Sequence, residues 1–311
     1  MQEATSRSSP QAGRYAFAAL LLANLFLAFG PWMVRMADVG STASAFWRLS
    51  LAIPLLLIFA RWQSAEVFRP GHALGVTILL AGLFFAADLA AWHYGIVRTK
   101  MANATLFGNS STILFAAYGF IAARMLPRPS QAAAILLAIV GAILLLGSSY
   151  ELSPRNFVGD LFAILAGFFY AFYLIAIDRA RKVMAPMPVL ALATLAGAGP
   201  LLLFALFLGE KVVPGDWGPV ILLSLGSQVI GQGLLVYCMG HLSPVVVGVG
   251  LLTQPAVAAA IGWLAYGERL SFADAAGAVL IALALLLIRL PDRRLATGDA
   301  EPHLGDDRRV R

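Results

Sequence analysis

The sequence predicts an all-α membrane protein: ten transmembrane helices forming two inverted five-helix repeats, with the N and C termini cytoplasmic. Three observations carry this expectation. Of 311 residues, 60% are hydrophobic and only 12% charged, about half the charged share of an ordinary soluble domain. Apolar segments long enough to cross hydrocarbon recur along nearly the whole chain. The second half also echoes the first in the number and spacing of its segments.

Cutting at charges and at Gly/Pro-rich joints places spans near 15–36, 42–60, 73–95, 101–123, 131–147, 157–177, 187–208, 217–239, 245–266 and 272–289. The first follows Arg7 and Arg14, as the core of a secretory leader would, and "STASA" downstream resembles a cleavage site. Its 20 uncharged residues, Tyr15 to Val34, exceed a leader's usual core of about 7–15, so it reads as a retained span. Trp217 to Gly267 has no Lys, Arg, Asp or Glu over 51 residues. That is too long for one crossing at about 1.5 Å per residue, and "GHLSP" divides it into the eighth and ninth spans. A closed barrel needs segments of about 10 residues that alternate in polarity, and these do neither. Residues 1–14 and 291–311 read as cytoplasmic tails, 148–156 as a periplasmic linker, and 15–147 and 157–290 as the two repeats.

An even number of spans returns both termini to one side. With the spans so placed, that side holds fifteen Lys and Arg, against six on the other (Arg35, Arg98, Lys100, Arg155, Lys211 and Arg269). The bias makes the termini cytoplasmic. The net charge of +6 is therefore topological: no basic groove is present, and nucleic acid is excluded as a partner. A single cysteine, Cys238, rules out an intramolecular disulfide.

"PLLLIFA" at Pro54 to Ala60 recurs as "PLLLFAL" at Pro200 to Leu206, 146 residues on, and "GAILLL" from Gly141 is answered by "ALALLL" from Ala282. Five is an odd number of crossings. Two like-folded units of five helices in one chain must therefore enter the bilayer from opposite sides, related by a pseudo-two-fold axis in the membrane plane. Such a pair has two nearly equivalent packings, one open to each side, around a site near the midplane.

Two stretches carry a family resemblance. "SPVVVGVGLLTQPAVAAAIGWLAYGERLSFADAAGAVLIALALLL" places Pro255 in the ninth span ahead of Gly267-Glu268 and a small-residue tenth helix, and "FWRLSLAIPLLL" places Arg48 in the second span. Over about residues 15–290 the chain resembles the ten-helix, EamA-type members of the drug/metabolite transporter superfamily. The resemblance implies a secondary transporter of the bacterial inner membrane, exporting amino acids or similar small metabolites. A carrier for nucleotide sugars, organic phosphates or drugs is the alternative within the superfamily. The first half departs from the pattern, with Ser111 where the second has Pro255 and Arg124 where it has Glu268.

Among the acidic residues only Asp88 lies well inside a span, and Arg48 is the one deeply embedded base. Counting along their helices puts Asp88 roughly 10 Å and Arg48 roughly 9 Å below the same membrane face. Charges at one depth lower each other's cost. A structural ion pair, recognition of a substrate carboxylate or amine, and proton coupling through Asp88 all fit. Phe84, Phe85 and Trp92 stand at i−4, i−3 and i+4 from Asp88, on its side of the helix, where they can line a cavity or simply pack. His93, beside Trp92, reads as an ordinary residue of the outer interface. A second polar set comprises Asn24, Asn109 to Thr112 (with Ser111), Gln228, Gln232 and Gln254 in spans one, four, eight and nine. Tyr170 and Tyr173 in the sixth are weaker candidates. Unsatisfied amides are costly in hydrocarbon, so these face the bundle interior or water. Pro31 and Pro255 are the candidate hinges.

Enzyme chemistry finds no support. His72, His93 and His241 sit at span ends and His303 in the tail, with no phosphate loop, metal spacing or aspartate cluster. A channel filter would need a ring of symmetry-related residues. The partners expected are therefore a small-molecule substrate and the lipid bilayer, with protons as the candidate coupling ion. No cofactor or metal is implied, and no oligomeric state is signalled.

Overall fold

The computed structural model of the chain describes residues 10–63, 71–111, 114, 132–133, 136–137, 139–141, 143–144, 153–181, 183–239, 241–242, 251 and 253–287. Within them the structure is helical and contains no strand. Six helical segments are long and apolar enough to cross a membrane: Tyr15–Met36, Ser41–Gln63, His72–Ile96, Pro154–Arg181, Pro186–Phe207 and Gly218–Met239. These are the predicted spans one, two, three, six, seven and eight. The fourth, ninth and tenth are represented by Met101–Gly108, Thr253–Tyr266 and Phe272–Leu287. Residues 1–9, most of the fourth span beyond Ser111 (Thr112 included), most of the fifth span, Arg124, most of 148–156 and 288–311 lie outside the described residues, while 10–14 of the predicted N-terminal tail belong to the first helix.

Prolines shape the first two spans. α1 (Pro10–Ala28) and α2 (Gly30–Met36) are separated at Phe29, because Pro31 has no N–H to give Leu27 and its ring crowds that carbonyl. α3 (Ser41–Ser50) and α4 (Ile53–Gln63) part just before Pro54 for the same reason. The third span is the unbroken α5 (His72–Ile96), followed by α6 (Met101–Gly108).

In the second half, α7 (Pro154–Arg181) is longer than the predicted 157–177, since charges begin and end it. α8 (Pro186–Phe207) continues through Pro200. The eighth span consists of α9 (Gly218–Leu222), a π-helical segment Leu223–Gln232 and α10 (Gly233–Met239). α11 (Thr253–Tyr266) and α12 (Phe272–Leu287) follow. Pro255 falls in the first turn of α11, and its side chain lies outside the described set.

Packing repeats when the halves are exchanged. α5 lies along α7, as the π segment and α10 lie along α1; α6 meets α7, as α11 meets α1; and α8 meets α5, as α3 meets the π segment. The second span against α8, and α6 against α11, pair across the exchange. Backbones touch closely at several glycines, Gly82 and Gly95 among them. A Cβ on Gly82 would stand 2.6 Å from Ala193 O, and one on Gly95 2.8 Å from Gly159 O. The main core lies between α3, α5, α7 and α8, around Leu49, Phe85, Tyr173 and Ile177. Large apolar side chains such as Leu203, Phe207 and Phe272 point outward, the pattern of a surface solvated by hydrocarbon.

Candidate functional site

Between the halves lies a polar cavity with about 540 Å³ of space outside protein atoms. Its wall includes Arg48, Phe85, Asp88, Trp92, Asn109, Tyr170, Gln232 and Gln254. Thus eight of the residues singled out in the sequence meet in one place, drawn from α3, α5, the end of α6, α7, the π segment and α11. The other three polar candidates stand behind the wall. Asn24 Oδ1 accepts from Gln254 Nε2 at 3.0 Å. Gln228 Oε1 accepts from Arg48 Nε at 3.3 Å, and its Nε2 donates to Thr194 Oγ1 at 3.1 Å. Ser111 is buried but off the wall.

The two charges do not form the direct ion pair that is one of the three readings of their matching depth. Both are nearly buried, Arg48 at 2% exposure and Asp88 at 7%, yet among the described residues no ion pair joins them. Gln228 holds the Arg48 guanidinium instead. Its carbon lies 6.0 Å from the Phe85 ring centre and 5.8 Å from that of Trp92, within cation–π range. Phe85 and Trp92 therefore face the cavity beside Asp88, whereas Phe84 takes the packing alternative and stacks on Phe172 at 5.1 Å. At about 100° per residue, i−3 and i+4 fall on one flank of Asp88 and i−4 on the other. Tyr173 is also off the wall, stacked on Phe85 at 4.5 Å behind Tyr170. Around the cavity, Asn24 Nδ2, Gln232 Oε1 and the Tyr173 hydroxyl have no hydrogen-bond partner among the described residues. Such groups call for water or solute.

His93 corrects the interfacial expectation. It is fully buried between α3 and α5, its Nδ1 2.8 Å from Ser44 Oγ, with Nε2 unpartnered among the described residues. The cause is the packing of α3 on α5, which covers a position that counting along the helix places at the surface.

The sequence reading missed the seal at one end of the bundle. Arg35 pairs with Glu268 at 2.5 Å and donates to the Ile96 carbonyl at 2.9 Å and to that of Thr99. Glu268 also accepts from the Met101 amide at 2.9 Å, while Lys100 pairs with Asp274. Glu210 accepts from the Ala43 amide at 2.8 Å and the Thr42 amide at 3.3 Å. α3 and α6 begin at Gly40 and Lys100 without caps of their own, so glutamates of the second half satisfy their orphan N–H groups. Each follows a glycine in the left-handed region, Gly209 and Gly267, both at φ 65°. The repeated Gly-Glu dipeptide after an apolar run was the available signal. Below this seal, Thr99 donates to the buried Asp160, and Asn103 donates to its other oxygen at 3.4 Å. At the opposite end, among the described residues, Gln63 Oε1 at the end of the second span accepts from the Met187 amide in the first turn of α8 at 2.9 Å, and the Arg181 guanidinium donates to the Met184 carbonyl at 3.1 Å.

Residues 14–147 and 157–290 each match the family described as the EamA-like transporter family. An uncharacterized transporter of Archaeoglobus fulgidus is 25% identical over 246 residues, covering 76% of this chain and 83% of the relative. A solved crystal structure has a TM-score of 0.64 over 93% of this chain and 99% of that one, at 20% identity, a likeness of fold.

Proposed function

This chain belongs to the EamA-like transporter family, a multi-pass membrane protein and solute transporter, and from that premise we propose that it exports amino acids or similarly sized metabolites across a bacterial inner membrane. The mechanism is alternating access. Two five-helix repeats of opposite insertion, 15–147 and 157–290, rock about the central cavity, opening it first to one side and then to the other. The reciprocal packing of the halves supports this reading.

One observation carries the choice of solute. Arg48 and Asp88 line the same cavity without an ion pair between them, so a zwitterion can give its carboxylate to the guanidinium and its ammonium to the carboxylate. Phe85, Trp92 and Tyr170 supply an aromatic wall for the remainder of the solute. An organic phosphate or nucleotide sugar fits less well, since the wall offers a single cation where phosphate favours a cluster. Pro31 and Pro255 serve as hinges. Asp88 is the candidate proton carrier if efflux is coupled to a gradient.

The test is transport of labelled amino acids in proteoliposomes. Asp88→Asn and Arg48→Ala each remove one charge-assisted contact, worth about 1.5–3 kcal/mol, so transport falls roughly tenfold or more. Unchanged transport by both variants for every substrate makes the two residues structural and overturns the reading.

A further inference from the structure

A second groove, unrelated to the polar cavity, runs along the outer wall of the protein. α7 and α8 each pack along α5 but touch each other little, leaving a channel floored by Ala86, Ala87, Ala90 and Ala91. Phe162 and Leu165 of α7, and Phe204 of α8 with Leu208 just past its end, form its banks. Leu83, Leu165, Phe204 and Leu208 are exposed, so the channel opens sideways to hydrocarbon. Its α5 floor runs from Leu83 to Tyr94, eleven steps or about 16 Å. That is close to half of a hydrocarbon core about 30 Å thick, the reach of one leaflet.

A cation stands at the mouth. Arg98 lies with its guanidinium carbon 3.3 Å from the ring centre of Tyr94, which lines the groove, and donates to the Tyr94 carbonyl at 3.0 Å. At this end of the bundle Arg35, Lys100 and Lys211 each have a carboxylate partner. Arg98 has none among the described residues.

We propose that this groove binds one phospholipid, an acyl chain lying on the α5 alanines and an anionic headgroup resting on Arg98. The matching length, the apolar lining and the unneutralised cation select a lipid of one leaflet over a second copy of the chain, whose contact would need a flatter surface and a carboxylate facing Arg98.

Full-length protein, delipidated in mild detergent, is titrated with phosphatidylglycerol or with phosphatidylcholine of the same chains and examined by native mass spectrometry. One phosphatidylglycerol is retained per chain, favoured roughly fivefold over phosphatidylcholine, as expected for one basic side chain at a charged headgroup. Arg98→Gln removes the preference but keeps the chain contact. Ala90→Trp fills the floor and lowers retention of both lipids roughly tenfold, with helix content and unfolding midpoint measured alongside. Should Ala90→Trp not fold, the Arg98→Gln comparison decides alone. Equal retention of the two lipids by the native chain, or a preference that Arg98→Gln leaves intact, overturns the proposal. So does chain-to-chain cross-linking through Ala90→Cys in vesicles. None of these readouts depends on transport.

Discussion

Arg48 is held in place by a relay through the Gln228 side chain to Thr194, which fixes the guanidinium at the cavity wall, while Asp88 across it has no ion pair among the described residues. Thr194→Val removes the end of that relay. A neutral buried hydrogen bond contributes about 1 kcal/mol, so the substrate concentration for half-maximal transport rises a few fold while the unfolding midpoint barely moves. Embedded charges such as Arg48 and Asp88 were legible because any charge is conspicuous in an apolar run. Arg35, Glu210 and Glu268 were not, because charges at span ends are ordinary and only the fold reveals that they meet. Glu268→Gln weakens the ion pair with Arg35 and the cap on Met101 together. Thermal unfolding in detergent should report a loss of about 1–3 kcal/mol. Asp38 belongs to the same end but lies outside the spans. Hydrogen bonds from Lys211 and the Gly215 amide hold its pKa below the usual 3.8. A depressed carboxylate stabilises above its unfolded pKa, and that contribution is lost as pH falls through the lower folded value. Protection of the Gly215 amide, its exchange rate relative to that of an unfolded amide at the same pH, should therefore hold through neutral and mildly acidic pH and fall as the Asp38 carboxylate becomes protonated below its usual 3.8, whereas Asp38→Asn lowers that protection already at neutral pH.

At the scale of elements, apolar length marked six of the spans clearly, and Pro31 and Pro54 gave the positions where two of them break. The π-helical segment Leu223–Gln232 had no such mark. Its i→i+5 bonding widens the turn, and nothing in "LSLGSQVIGQ" distinguishes that from an α-helix. A left-handed glycine, Gly267, and a crowded helical one, Gly82, separate strain from crowding. A Cβ at Gly267 meets nothing within 4 Å, so Gly267→Ala should cost only the conformational penalty of about 1–2 kcal/mol. At Gly82 a Cβ meets the α8 backbone. Gly82→Ala must push α5 from α8 and should lower the unfolding midpoint further than Gly267→Ala does.

For the whole molecule, the two-fold echo legible in "PLLLIFA" and "PLLLFAL" reappears as reciprocal packing, with charged contacts at one end and a different set of described contacts at the other. One end is closed by carboxylates that cap α3 and α6 and, among the described residues, by three ion pairs. At the other, the described residues include the neutral Gln63 contact and the Arg181 guanidinium, which donates to the Met184 carbonyl at 3.1 Å. Charge-assisted bonds are roughly twice as strong as neutral ones, so the carboxylate contacts should hold the Arg35 end shut in the resting state. The sequence could not supply this closure, because it depends on which span ends come together. The most direct measurement places a single thiol on the cavity wall, Asn109→Cys with Cys238→Ala, and treats oriented vesicles with a membrane-impermeant reagent from each side. Labelling from the Gln63 side, slowed by substrate and gained from the Arg35 side when Glu268→Gln is added, is the predicted result. A thiol that no water-borne reagent reaches from either side, or that reacts equally from both at rest, contradicts a wet chamber with alternating access.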